Sequence, residues 1–537
     1  LRIVNIEVST ILTLNSISPL EASGAPVFNN NPYLRLNGRG VLVGIIDTGI
    51  DYLNKEFQRE DDTTRIVRIW DQTIQGDKDI YDLKYGTEYT EDQINQAISL
   101  QTSGGDPYSI VPSKDDIGHG TRLAGIIGGR GINPDLKGAA PDCQFVIVKL
   151  SRATKVELDA AVIDKTDVPS YTPWSALLAL RYIIAVAREL KRPVVVFEPL
   201  GSNMGSHIGN GIVEQSINNY SSQSGTVVVV PTGNQGNTDT HTEGIIESSG
   251  DIKDIEIRVG EKQKNLPIEI WVNKPNRVKL SIVSPSGEVI DNLEAKNTNN
   301  ERIKFLYEGT EMIVNFTSPE LSTGDSLIFI RAYNLKAGIW KFRLTGQYIV
   351  DSKYYAWIPQ RELLDSETKF LNSVGYTTLT LSSTSSGAIS VAYYNQDDNS
   401  VISESGRGYT RYGMIKPDIA AGGFNAIVTN PGGGTSVISG SSVAGAVVAG
   451  CCALILQWAV VDKNYPDIYA AQIKTYIISG AKGRPGDVYP NREWGYGMFD
   501  MQGVFDRIRE TYNPRSDEDY EEYRVNNLFI RMPKYRH

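Results

Sequence analysis

The chain has 537 residues, enough for about two or three domains and a large core. Hydrophobic residues make up 40% and charged residues 22%, and the net charge of −10 argues against nucleic acid as the main partner. Cys451 and Cys452 are adjacent in an apolar run and Cys143 stands alone, so no disulfide framework is written; the histidines show no ligand spacing, so no metal or cofactor is expected.

Leu1 to Val8 alternates like a strand, and the chain opens on Leu rather than Met, which points to an N-terminus made by cleavage. Gly40 to Ile46 is an apolar, mostly β-branched run ending at Asp47-Thr48-Gly49, the pattern of a parallel strand covered on both faces. Thr90-Glu91-Asp92-Gln93 is a capping box leading into a helix over Ile94 to Leu100. This stretch, between Asp47 and His119, reads as a surface insertion. Further apolar strands are predicted at Phe145–Val148, Val194–Phe197 and Thr226–Val230. Thr172 caps a helix with Pro173 at its first position and helical apolar spacing from Trp174 to Leu190. Strand, helix, strand alternation predicts a doubly wound parallel α/β sheet.

After Thr240 the pattern changes to short alternating strands with turn signals, among them Ile255–Val259, Ile268–Val272, Val278–Val283, Ser326–Ile330 and Gly338–Leu344. Residues 241–375 therefore read as an inserted all-β jelly roll or sandwich. The α/β domain, 31–240, resumes over 376–510. Residues 1–30 form an N-terminal segment, and 511–537 a charged tail around Asp517 to Glu522. The apolar stretch Val443 to Val461 carries Gly445, Gly450 and Gln457, and reads as a buried core helix rather than a membrane span.

Three small-residue motifs share one chemistry. Asp47 ends a buried strand, His119 lies in Gly118-His119-Gly120-Thr121, and Ser442 precedes a small-residue helix start. A serine needs an imidazole to take its proton, and the imidazole needs a carboxylate to fix its tautomer. A helix N-terminus at Ser442 favours developing negative charge, and Asn234, in a Gly-rich loop after a strand, supplies an oxyanion donor. These residues define an acyl-transfer constellation. Ser436, in Gly434-Thr435-Ser436, competes with Ser442 for the role of nucleophile.

On these motifs the chain resembles the subtilisin-like serine proteases over Gly38 to Thr240 and Ala388 to Phe505. Gly138-Ala139-Ala140-Pro141 and Lys416-Pro417-Asp418-Ile419-Ala420-Ala421 add to the resemblance. It implies Asp47, His119 and Ser442 as the triad and Asn234 in the oxyanion hole. The family's register of Val-Ala-Gly and then an apolar helix follows Ser442 and not Ser436. Leu200, Gly201, Thr232 and Gly233 are implied to line the pocket for the residue before the cut bond. The family's Ser-Leu-Gly edge is here Pro199-Leu200-Gly201. Proline removes an N–H there but leaves the carbonyl that would pair with a substrate strand. Arg122 stands where the family usually has His.

Ser18 to Ser23, Asn31 to Leu34, Asp51-Tyr52-Leu53 and Ile69 to Ile74 look like the Csp-type germination proteases of clostridial spores. That resemblance implies a jelly roll inserted between the oxyanion Asn and the nucleophile. It also implies a spore location in the cortex or coat region. The substrate would be a cortex-lytic enzyme precursor activated by limited cleavage, and the chain would cut its own prodomain. The N-terminal segment is then the end of that prodomain or the start of the mature chain. Two other functions stand beside this one. A silent pseudoprotease serving as a germination sensor or scaffold would tolerate loss of triad residues, which are all present here. A secreted degradative subtilase would cleave casein without selectivity.

Overall fold

The computed structural model describes residues 17–76, 80–294 and 300–511, and the backbone of 520–525 and 528–533. Leu1 to Val8 and Asp517 to Asp519 lie outside the described residues. Tyr520–Val525 pairs antiparallel with Leu528–Pro533, so a hairpin stands where the sequence predicts only a charged tail.

In chain order the first strands are β1 (Leu42–Asp47), β2 (Ile66–Asp71), β3 (Thr87–Thr90), β4 (Gln144–Lys149), β5 (Val194–Phe197) and β6 (Thr226–Pro231). The inserted module holds β7 (His241–Ile246), β8 (Ile252–Val259), β9 (Leu266–Val272), β10 (Arg277–Val283), β11 (Val289–Leu293) and β12 (Asn300–Lys304). It continues with β13 (Glu311–Thr317), β14 (Ser326–Tyr333), β15 (Gly338–Tyr348), β16 (Ser352–Trp357) and β17 (Lys369–Phe370). Then come β18 (Ile389–Asn395), β19 (Ser400–Val401), β20 (Ile419–Gly422), β21 (Ala426–Thr429) and β22 (Thr435–Ile438). The helices are α1 (Pro19–Ser23), α2 (Ala25–Asn29), α3 (Glu91–Thr102), α4 (His119–Gly128), α5 (Lys155–Ala160), α6 (Pro173–Leu190), α7 (Ile212–Ser221), α8 (Ser441–Leu456), α9 (Ala470–Ser479) and α10 (Met501–Thr511).

A nine-stranded sheet runs in the order β19-β18-β6-β5-β1-β4-β2-β3, with β20 also on β18. All its pairings are parallel except β2 with β3 and β18 with β19. Every residue of β1, β5 and β6 is buried, as their unbroken apolar runs require. One face packs α4 and α8 and the other α6. Helix α6 starts where its cap predicts, with the Thr172 hydroxyl accepting from Ser175 N, and α3 shows the Thr90–Gln93 capping box.

The stretch between Asp47 and His119 is not a surface insertion. Its strand β2 lies inside the sheet against β4, burying Ile66, Ile69 and Trp70, and α3 buries Ile94, Ala97 and Ile98. The Ile66-Val67-Arg68-Ile69-Trp70 run has the apolar content of a core strand, and parallel pairing with β4 captures it. Helix α8 and the π-type turn Gln457–Val461 are together long and apolar enough to cross a membrane, but 89% of the span is buried inside the protein. Gln457 uses its side chain internally, accepting from the amides of Asn37 and Gly38, both at 2.8 Å.

The inserted module is two antiparallel sheets, β11-β10-β15-β8-β17 and β12-β13-β14-β9-β16-β7, around one apolar core. Alternation sets which residues face inward: Trp340, Phe342 and Leu344 of β15 meet Ile268, Ile270, Val314 and Ile330.

A dense polar and aromatic contact fixes this module to the α/β domain. Arg411 and Asp325 are both fully buried and pair at 2.8 Å across the boundary. Arg411 also donates to Ser206 O and lies over the rings of Trp271 and Tyr355, while Tyr412 donates to the same carboxylate at 2.6 Å. Beside it His207 of the α/β domain stacks on Trp357 at 4.0 Å, and Trp357 on His241 at 4.4 Å. Burial pushes the His207 imidazole down to about 3, so it is neutral and donates Nε2–H to Asn203 O. Removing one member of a buried ion pair leaves the other charge without its counter-ion. Arg411→Met is expected to cost about 3–5 kcal/mol in urea unfolding, while an exposed pair such as Lys55–Asp62 is expected to change stability by less than about 1 kcal/mol when broken.

Candidate active site

Asp47 closes β1 at the carboxyl edge of the sheet, where neighbours β4 and β5 lie on either side and the chain direction opens a crevice. It is 1% exposed. His119 is the first residue of α4, and its Nδ1 lies 2.8 Å from Asp47 Oδ2 and 2.9 Å from Oδ1. The carboxylate accepts the Nδ1 proton, so the fixed tautomer leaves Nε2 as the free base.

The start of α4 is held by a residue the sequence reading missed. Asp115 accepts from Gly118 N at 2.7 Å, Thr121 N at 2.8 Å, Thr121 Oγ1 at 2.6 Å and Thr48 Oγ1 at 2.7 Å. Thr48 Oγ1 in turn accepts from Gly120 N. The Asp115 carboxylate therefore caps α4 and binds it to the residue after Asp47. Gly120 permits this approach, because a Cβ there would lie 2.2 Å from Gly49 O. An aspartate three residues before a Gly-His-Gly-Thr turn is a capping signal, and could have been read as such.

Burial pulls the His119 imidazole down, but the Asp47 charge and hydrogen bond, with Asp115 behind, outweigh it and hold the group above the ordinary histidine value. Tyr171 and Leu200 are partly buried against the apolar cluster under α6.

At the other half of the site Asn234 is exposed in the loop after β6, and its Oδ1 accepts from Ser441 N at 3.0 Å. That bond engages the Oδ1 side of the carboxamide and leaves Nδ2 as its donor. Ser442 is the second residue of α8, half-buried, with its amide among the unsatisfied donors of the helix start. The structure thus joins Asp47 to His119 and Asn234 to the head of α8, and α4 packs on α8. Among the described residues no hydrogen bond links Ser442 to His119; such bonds are often long before substrate binds. Ser436 sits elsewhere, in β22, where its hydroxyl donates to Asn430 Oδ1. Asn430 also accepts from Arg122 Nε at 2.9 Å, so Arg122 ties α4 to the β21–β22 hairpin.

Gly201 and Gly233 face one another across Thr380, which sequence reading also missed. A Cβ on Gly201 would lie 2.5 Å from Thr380 Cβ, and one on Gly233 2.4 Å from Thr380 Cγ2. Thr380 N donates to Thr232 O at 3.1 Å. Leu200-Gly201 and Thr232-Gly233 thus form two walls with Thr380 between them. No sequence signal marks Thr380, because its place comes from the chain's return out of the inserted module.

A buried strand carrying Asp, a helix opened by His and a second helix opened by Ser form the frame of a serine hydrolase on an α/β sheet. The profile of the subtilase family matches residues 38–254 and 369–497, and the chain belongs to that family. Its fold is subtilisin-like. Over 92% of its length it is similar to the structure of the Clostridium perfringens CspB protease, with 29% identity, a TM-score of 0.81 and 97% of that chain covered. It is also 23% identical to the PI-type proteinase of Lactococcus lactis subsp. cremoris over 92% of this chain and 27% of that protein. The Arabidopsis thaliana subtilisin-like protease SBT6.1 is 30% identical over 30% of this chain and 16% of that protein. The chain thus spans about a quarter of the length of the first lactococcal relative.

Catalysis through His119 requires neutral Nε2, so activity is expected to rise with pH through a value above the ordinary histidine pKa of about 6.5. Asp47→Asn removes the raising charge. Its acidic limb is expected to shift to lower pH and its kcat to fall about 10⁴-fold; an unshifted limb in a kcat/KM–pH profile would contradict the assignment.

Proposed function

We propose that this chain is an endopeptidase using Asp47, His119 and Ser442, with Asn234 and the Ser442 amide as oxyanion donors. The observation that carries the reading is the Asp47–His119 pair, with Nδ1 bonded to the carboxylate and Nε2 left as base. Ser442 Oγ attacks the scissile carbonyl and His119 Nε2 takes its proton. The oxyanion forms against Asn234 Nδ2 and the N-terminus of α8. The imidazolium then protonates the leaving amine, and water, activated by the same Nε2, releases the acyl group from Ser442. Leu200, Gly201, Thr232 and Gly233 bound the residue before the cut bond, over Thr380.

Similarity to the CspB protease along nearly the whole chain supports a finer reading. In it the substrate is the inactive precursor of a cortex-lytic enzyme, cleaved once in the spore cortex or coat region during germination. A further partner is the chain's own prodomain, which it cuts. The inserted sandwich is anchored to the α/β domain at Arg411–Asp325.

A full-length precursor is expected to process itself as wild type and as Ser436→Ala, and to remain uncut as Ser442→Ala, on a denaturing gel. The processed protein is then expected to cut a cortex-lytic precursor at one site and to leave casein intact. Processing lost in Ser436→Ala alone would overturn the nucleophile assignment. General casein digestion would favour a degradative enzyme.

A further inference from the structure

Ile358 to Leu364 lies between β16 and β17 of the inserted sandwich, and this connection bonds to the α/β domain at several points. Ile358 O accepts from Asn203 Nδ2 at 3.3 Å. Gln360 Nε2 donates to Gly201 O at 2.6 Å. Arg361 N donates to Gln235 Oε1 at 3.0 Å, and Gln235 Nε2 donates to Glu362 Oε2 at 3.1 Å, beside Asn234. Lys165 Nζ, from the loop before α6, donates to Glu362 O at 3.0 Å.

Gly201 O is the exposed acceptor of the Pro199-Leu200-Gly201 edge. An extended peptide adding to that edge needs the acceptor for a main-chain N–H, because strand addition draws its affinity from such pairs. Proline at 199 already removes one donor from the edge, which makes the Gly201 carbonyl more important. Here the acceptor is occupied by a side chain delivered from the insert.

The surroundings of Gln360 suit a displaceable contact. Pro359 restricts the backbone on one side. On the other, Arg361 is held by its amide, by Nη1 donating to Thr368 O at 2.8 Å and by Nη2 donating to Asp365 O. Among the described residues the Gln360 carboxamide makes this one hydrogen bond, and the residue is partly exposed. The backbone is thus fixed while the side chain can swing away at small cost.

We propose that Gln360 is a latch on the substrate-strand edge, which an extended protein segment must displace from Gly201 O before it can bind. The latch is a specificity element. It weakens binding of residues upstream of the one before the cut bond, and leaves the chemistry at Ser442 untouched. Ligands that stop short of this edge are unaffected; peptides that reach it with few other main-chain bonds are disfavoured, and segments that add several bonds of their own are admitted. The inference rests on the protease reading of the cleft.

The test compares whole wild-type protein with Gln360→Ala and with Gln360→Met, which keeps the side-chain length without a donor. Three probes are used: a fluorophosphonate, a pool of acetyl-aminoacyl diphenyl phosphonates, and a pool of acetyl-tetrapeptidyl diphenyl phosphonates carrying the same set of final residues. Both variants are expected to react about fivefold faster than wild type with the tetrapeptidyl pool, the worth of one exposed neutral hydrogen bond. Rates with the other two probes are expected to be unchanged. Equal or slower reaction of both variants with the tetrapeptidyl pool, with fluorophosphonate labelling intact, would overturn the latch alone. Loss of fluorophosphonate labelling in wild type would instead overturn the protease reading, and the latch with it.

Discussion

The Asp115 carboxylate is the contact on which the site depends. It accepts four hydrogen bonds, from Thr48, Gly118 and both donors of Thr121, and so joins the end of β1 to the first turn of α4. Hydrogen bonds to an ionised acceptor are about twice as strong as neutral ones, and these four are buried. Together with the Gly120 N–Thr48 Oγ1 and Asp51 N–Thr121 Oγ1 bonds, this clamp sets the start of α4, and so His119, against the end of β1. The helix that carries the imidazole is thus held against the strand that carries Asp47 by a second acid, Asp115.

The same logic extends outward. The inserted sandwich does not hang from the catalytic domain by its two ends alone. Arg411–Asp325 and the His207–Trp357–His241 stack lock it down, and its β16–β17 connection bonds to Gly201 through Gln360 and to Gln235 through Arg361. Thr380, which separates the two walls of the pocket, lies on the stretch that follows. The surroundings of Gly201 and Gly233 therefore depend on the chain around the insert, while the Asp47–His119 pair lies at the edge of the sheet.

The sheet was legible because its strands are unbroken apolar runs that only a doubly covered parallel sheet can bury. The capped starts of α3 and α6 were legible because Thr90 and Thr172 carry local signals. Asp47, His119, Asn234 and Ser442 could be picked out because each sits in a short motif with its own chemistry. Other features were hidden for physical reasons. The place of β2 in the core is decided by its pairing with β4, and its flanking polar loops made it look peripheral. Thr380 and Gln360 act only through tertiary contacts with glycine backbones far away in the chain. Asp115 was readable as a helix cap, but its second role, holding Thr48, is set by the fold.

The central claim is that a ready oxyanion site stands between Asn234 and the head of α8, next to a base held by Asp47. The most direct measurement is a crystal structure of the protein after reaction with a fluorophosphonate. The account predicts a phosphoryl group on Ser442 Oγ, with one oxygen about 2.7–3.1 Å from Asn234 Nδ2 and from the Ser442 amide, and with the Asn234–Ser441 and Asp47–His119 bonds unchanged. An adduct on Ser436, or a Ser442 adduct whose oxygen avoids Asn234, would contradict it.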